Sequence, residues 1–137
     1  MKFAHAEHNE SLCDHLLENL KWNDWVMTTA FYSALHYVED RLFPLELDGD
    51  TYEDFDEYYL ERQKHKDFSS NKHQSRINLI FRKLKYAHQA YKFLFEACYS
   101  ARYQSYIVDE PTAKQAKIKL LVVKSYCNPP VTPKAST

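Results

Sequence analysis

Glycine is almost missing from this chain: Gly49 is the only one in 137 residues. Sheet proteins need glycine for hairpin turns and bulges, so a single glycine excludes a sheet-rich fold and predicts helices joined by a few connections. Cysteine is sparse as well. Cys13, Cys98 and Cys127 are odd in number and far apart, which excludes a disulfide framework and the close ligand spacing of a structural zinc site. They read as reduced, buried thiols of a cytoplasmic protein. An excess of charge of one sign is also missing. With a formal net charge of -1, the chain as a whole exerts no electrostatic pull on nucleic acid, and any such site has to be a local patch. Finally, no apolar run approaches the length of a membrane span, and "MKFAHAEHNE" lacks the apolar core of a secretory signal. No membrane partner is expected.

What is abundant is aromatic side chain, 15% of the residues with eleven tyrosines. Acidic residues collect in one place: Glu46 to Glu61 holds eight of the nineteen, leaving the remainder net basic. The first helix is placed at Glu7 to Leu20, with Leu12, Leu16, Leu17 and Leu20 on one side. A second runs from Trp22 or Asn23 to about Phe43, where Pro44 pushes the preceding residue out of helical geometry. Leu45 to Asp50 reads as a loop, Tyr52 to Gln63 as a short acidic helix, and Lys64 to Lys72 as a second loop in which Ser69, Ser70 and Asn71 offer N-cap chemistry. From Asn71 to Tyr103 there is no breaker. Ile77, Leu84, Tyr91 and Cys98 recur every seven residues, as do Ile80, Ala87, Leu94 and Ala101, the pattern of a helix lying along a bundle at a shallow crossing angle. One long helix is favoured over two meeting near Lys85. Asp109-Glu110-Pro111-Thr112 opens a last helix. The fold class is therefore all-α: an antiparallel up-and-down bundle of four to five helices in one domain, residues 1–127, followed by a solvated tail at 128–137.

The second helix carries an unusual pair of faces. Met27, Phe31, Ala34, Leu35, Val38 and Leu42 form one apolar stripe, while Trp25, Thr29, Tyr32, Ser33, His36 and Asp40 lie on the other side. That second side holds aromatics, hydroxyls and an imidazole rather than solvated charge, so the helix reads as central with a polar seam. His36 is then either a hydrogen-bonded core histidine or a proton-transferring group where the seam opens to a cleft or a partner.

In that order, "WNDWVMTTAFYSALHYVEDRLFP", "KHQSRINLI" and "YKFLFEACYSARYQSY" resemble the HEPN (higher eukaryote and prokaryote nucleotide-binding) small helical proteins. The resemblance rests on the tryptophan-led second helix with its FYxALH core, the later HxxR and the ARY before the last helix, and it spans roughly Asn9 to Leu121. It implies a helical bundle that pairs as a homodimer and binds RNA or a nucleotide. In many members it implies a metal-independent ribonuclease of a toxin–antitoxin or phage-defence system, with an antitoxin as a further partner and no cofactor. By that implication His36, His73 and Arg76 are the candidate catalytic residues, the imidazole moving a proton at the 2′-hydroxyl and the arginine stabilising the charged phosphorane-like transition state. Nuclease members space an arginine four to six residues before a histidine, a spacing met at Arg82 and His88. On a continuous helix, however, residues six apart point about 120° away from each other.

Two further groupings bear on phosphate and base recognition. His73 and Arg76 share one face of a helix start whose free N–H groups, together with Lys66 and Lys72, make a phosphate seat. Arg102, Tyr103 and Tyr106 stand at the far end of the long helix, where arginine can grip phosphate and tyrosines can stack on bases. On a straight helix Arg76 and Arg102 would be about 39 Å apart, so they share a site only if that helix breaks or a second protomer folds over. Two other readings stand beside the RNA-binding one: a catalytically silent bundle that acts by homodimerisation or protein binding, and a metal-binding bundle using His5, His8, His15 and His36. No HxxxH or ExxH pair supports the last, and no metal is assigned.

Overall fold

The computed structural model describes residues 2–64 and 71–128. The 128–137 tail, apart from Asn128, lies outside the described residues, as do Lys66, Ser69 and Ser70. Six helices are described: α1 Lys2–Leu17, α2 Asn23–Leu42, α3 Phe55–Gln63, α4 Lys72–Lys83, α5 His88–Tyr103 and α6 Glu110–Cys127. A two-stranded hairpin, β1 Leu45–Leu47 and β2 Asp50–Tyr52, sits between α2 and α3. Among the described residues the protein is thus helical but for one hairpin, with α1, α2, α5 and α6 packed together.

Helix α2 is its axis. Eleven of its residues are buried, because it is covered on two sides. Against α1 it packs antiparallel: Cys13 lies under the Val26 carbonyl, Ser33 Oγ donates to the Ala6 carbonyl at 2.8 Å, and Phe3 meets Tyr37. Against α5 it is also antiparallel, with Cys98 beside Thr28 and Phe31 beside Tyr91 and Phe95. The apolar stripe read from the sequence is the one that is buried: Met27, Phe31, Ala34, Leu35 and Val38. Across the bundle, Tyr37 Oη, Lys117 Nζ and Lys124 Nζ all donate to the Glu10 carboxylate at 2.6–3.0 Å, tying α1, α2 and α6 together. Burial alone would raise the Glu10 pKa, but the hydrogen bonds from Lys117, Tyr37 and Lys124 outweigh it and bring it to about 2. The three thiols are free and buried, as expected; burial pushes Cys13 up to about 11 and Cys127 up to about 12, so they stay protonated and unreactive.

Three expectations need correction. The first helix starts at Lys2 and ends at Leu17, so it takes in His5 and His8. The stretch from Leu45 is a hairpin: Asp48 and Gly49 both adopt positive φ, 53° and 84°, the two-residue Asp-Gly turn whose twist suits paired strands. The 71–103 segment is two helices. At Leu84 the backbone leaves helical geometry (φ −136°, ψ 56°), a 3₁₀ turn spans Lys85–Ala87, and α5 runs back antiparallel to α4, with Phe81 on His88 at one end and His73 on Phe95 at the other. No proline or glycine marks the break. Folding back buries Leu79 and Ile80 of α4 as well as Ala87, Ala90 and Tyr91, which a straight helix standing off the bundle could not do. Asn71 caps α4 by accepting from Gln74 N at 2.8 Å.

The acidic segment forms a small lobe with its own apolar centre, in which Phe43, Leu45, Phe55, Tyr58 and Leu79 are buried together. It is joined to α4 by a Lys72–Asp56 ion pair and by Arg76, whose guanidinium lies 4.2 Å over the Phe55 ring.

Candidate functional site

The break at Leu84 shapes one of the clefts of the molecule. It brings the start of α4 over the outer half of α5 and encloses about 340 Å³ between Phe31, Tyr32, Asn71, His73, Phe95, Cys98, Tyr99, Arg102 and Tyr103. Its walls are rings. Phe31 and Phe95 are 5.7 Å apart, Phe95 and Tyr99 6.4 Å, and Tyr99 and Tyr103 5.0 Å, with His73 resting on Phe95 at 5.0 Å. Tyr99 and Tyr103 are 51% and 71% exposed, a large apolar area held open to solvent. His73, Arg102 and the Asn71 amide are polar groups at this cleft. Burial, then the nearby charges of Arg76 and Lys72, lower the His73 pKa from its ordinary value; in a neutral imidazole one ring nitrogen donates and the other accepts. Arg102 has no carboxylate within ion-pair range among the described residues; its guanidinium lies 5.9 Å from the Trp25 ring. A site of this kind suits a flat, unsaturated ligand with an anionic group near its edge.

Of the residues singled out by sequence, His73, Arg102 and Tyr103 line this cleft. Tyr106 lines a neighbouring one with Trp22 and Trp25. The others are elsewhere. Arg76 is 6% exposed and donates through Nε and Nη2 to Glu39 Oε1 at 3.2 and 3.0 Å, so its charge is already engaged. Lys72 is held by Asp56. Arg82 is exposed at the end of α4 and His88, resting on Phe81, opens α5; both sit at the opposite end of the α4–α5 hairpin from His73, outside this cleft. His36 faces α1, not the cleft. Its ring stacks on His5 at 3.8 Å, beside Lys2, His8 and Glu39. Burial, then the charges of His5, Arg76 and Lys2, lower its pKa to about 4, so it is neutral near pH 7.

The polar seam read on α2 therefore divides. Ser33 and Thr29 are buried and bonded to backbone carbonyls, whereas Trp25, Tyr32 and His36 reach the surface in different clefts. A metal reading finds no support in the geometry: among the described residues no group of three or more histidine, cysteine or acidic side chains is placed to hold an ion, and His15 sits apart beside Glu18. Likewise no helix among those residues is long and apolar enough to cross a membrane. The residues that sequence reasoning missed are Phe95 and Tyr99, which the fold-back of α4 on α5 places on the cleft wall; Tyr32, read on the polar seam of α2, was not assigned to a cleft. The chain matches no family model, no curated protein and no solved structure.

Proposed function

We propose that this chain is a HEPN-like helical domain that binds RNA or a nucleotide, with the base held in the cleft between α2, α4 and α5. One observation carries the reading: the α4–α5 fold-back brings His73 and Arg102, which has no ion-pair partner among the described residues, to the same ring-lined cleft. A base has two π faces, which stack on tyrosine and phenylalanine at about 1–3 kcal/mol per base. Its phosphate suits the guanidinium of Arg102, and the neutral His73 can exchange hydrogen bonds with a base edge or hydroxyl. The test is calorimetric titration of the chain with nucleoside monophosphates. Binding that weakens about tenfold in Tyr99→Ala and Arg102→Ala, with folding intact, supports the reading; no binding by any of the four common ribonucleotides removes it.

Binding without cleavage is favoured by one specific feature. Two of the three candidate catalytic groups are committed elsewhere, Arg76 to Glu39 and His36 to the stack on His5. Incubation with RNA in the presence of a chelator separates the two forms of the proposal. Chelator-resistant cleavage lost in His73→Ala would make the domain a metal-independent ribonuclease, and an unchanged RNA ladder would leave it a binding bundle. Sedimentation of the same preparation tests the homodimer that the resemblance implies.

A further inference from the structure

Beside the first cleft lies a second, of about 290 Å³, lined by Leu20, Lys21, Trp22, Asn23, Asp24, Trp25, Tyr106, Ile107 and Val108. Its composition repeats that of the first: two tryptophans and a tyrosine, exposed by 53%, 49% and 73%, with one cation, Lys21. The two clefts adjoin, because Arg102 of the first lies 5.9 Å from the ring of Trp25 in the second. The intervening position is thus occupied by a guanidinium with no acidic partner among the described residues. We propose that the two clefts are successive subsites for a single strand of nucleic acid, one base in each, with Arg102 gripping the phosphate that joins them.

The argument rests on order. Along the surface the chain presents ring cleft, arginine, ring cleft; a dinucleotide step presents base, phosphate, base. A free nucleotide would use one cleft and leave the two tryptophans of the other bare. An apolar peptide segment would fill both clefts but has no use for a cation between them. The distribution of acid agrees: eight of the nineteen carboxylates belong to Glu46–Glu61, on the hairpin–α3 lobe, which lines neither cleft. Asp24 alone among carboxylates lines the second cleft, so attraction there is weaker than around Arg102, and stacking supplies most of the affinity. Salt dependence should be shallow, in keeping with one phosphate contact per step.

This inference depends on the base site proposed above, and calorimetry distinguishes the two. The full chain is titrated with AMP, with the dinucleotide ApA and with oligo(A) of eight residues; UMP and UpU serve as the pyrimidine pair. The expected result is that the dinucleotide binds about tenfold more tightly than the mononucleotide. Trp22→Ala, an exposed position whose side chain makes no capping hydrogen bond, should return the dinucleotide to mononucleotide affinity and leave the mononucleotide unaffected. Tyr99→Ala should weaken both. If mononucleotides bind and respond to Tyr99→Ala, but dinucleotides bind no better and ignore Trp22→Ala, the second subsite is overturned while the base cleft stands. If no nucleotide of any length binds, both fall, and capture of an aromatic-rich peptide by the two clefts would assign the surface to a protein partner instead.

Discussion

Two histidines flank one buried ion pair, and the chain treats them differently. Arg76 and Glu39 join α4 to α2, with side chains only 8% and 14% exposed. On one side lies His36, stacked on His5 of α1; on the other lies His73, resting on Phe95 and near Phe31. Both pKa values are lowered, first by desolvation, and both rings feel the charge of Arg76 and of a lysine, Lys2 or Lys72. What separates them is company. His36 has a second imidazole stacked on it. His73 has a wall of rings with Arg102 further along it, the company on which the proposed nucleotide site rests. Burial and charge set the protonation state of a histidine, but the neighbours supplied by other helices decide whether it can meet a ligand.

Breaking the shared pair should have the largest effect, on both sides at once. Arg76→Ala leaves Glu39 partly buried without its partner, and chemical denaturation should show a loss of about 3 kcal/mol, with nucleotide affinity falling because α4 is no longer clamped to Glu39 and Phe55. A next, one-sided break is Glu10→Ala. It removes the acceptor shared by Tyr37, Lys117 and Lys124 and should cost about 2 kcal/mol, loosening the α1 side that carries His5 while leaving the affinity of the His73 cleft within twofold. The same carboxylate has a pH signature. Its folded pKa, about 2, lies below the ordinary 4.5, so its contribution is fully present above pH 4.5 and is lost as pH falls toward 2.

The converse one-sided change is Arg102→Ala, which should lower nucleotide affinity about tenfold and leave the denaturation midpoint unchanged, since that guanidinium supports no other described side chain by an ion pair. A smaller effect sharpens the His36 side. Its folded pKa of about 4 is below the ordinary 6.5, so the unfolded chain takes up the proton first. Stability should therefore decline as pH falls from 6.5 to 4, by about 1 kcal/mol after allowance for solvent screening. His36→Gln should flatten that part of the stability profile. If the slope persists in the variant, the stacked pair is not its origin.

Much of the bundle was legible because it follows from local rules. The single glycine excluded a large sheet, Pro44 and Asp109-Glu110-Pro111 marked helix ends, and the Met27–Val38 stripe identified the core face of α2. The hairpin was missed, Leu45 to Asp50 having read as a loop: flanking segments of three residues give no alternation long enough to read, and only Asp48-Gly49 carries a turn signal. The site was only half legible. Arg102, Tyr103 and Tyr106 stood out as an aromatic-basic group and do line the two clefts, and His73 was placed at a helix start. Arg76, read as a catalytic and phosphate-seat candidate at a helix start, gave no sign of its partner: Glu39, thirty-seven positions away in sequence, draws it inside. Tyr99 gave no signal, since a tyrosine at helical spacing looks the same whether a neighbouring helix covers it or leaves it open.

Composition and periodicity by themselves determined that this chain is largely helical, which stripe of α2 faces inward, and that its thiols stay unpaired, because each of these follows from a residue and its near neighbours along one helix. On α1 the expected leucine stripe is not the buried face, since Leu12 is exposed and Ala6 and Cys13 are buried instead. The tertiary structure alone decided where the 71–103 segment folds back. That turn carries no proline or glycine; it forms because two short amphipathic helices bury more apolar surface against the bundle than one long one. With it were decided which arginine is clamped by Glu39 and which lines the cleft with no ion-pair partner among the described residues, since an ion pair between distant residues exists only once packing has brought them together.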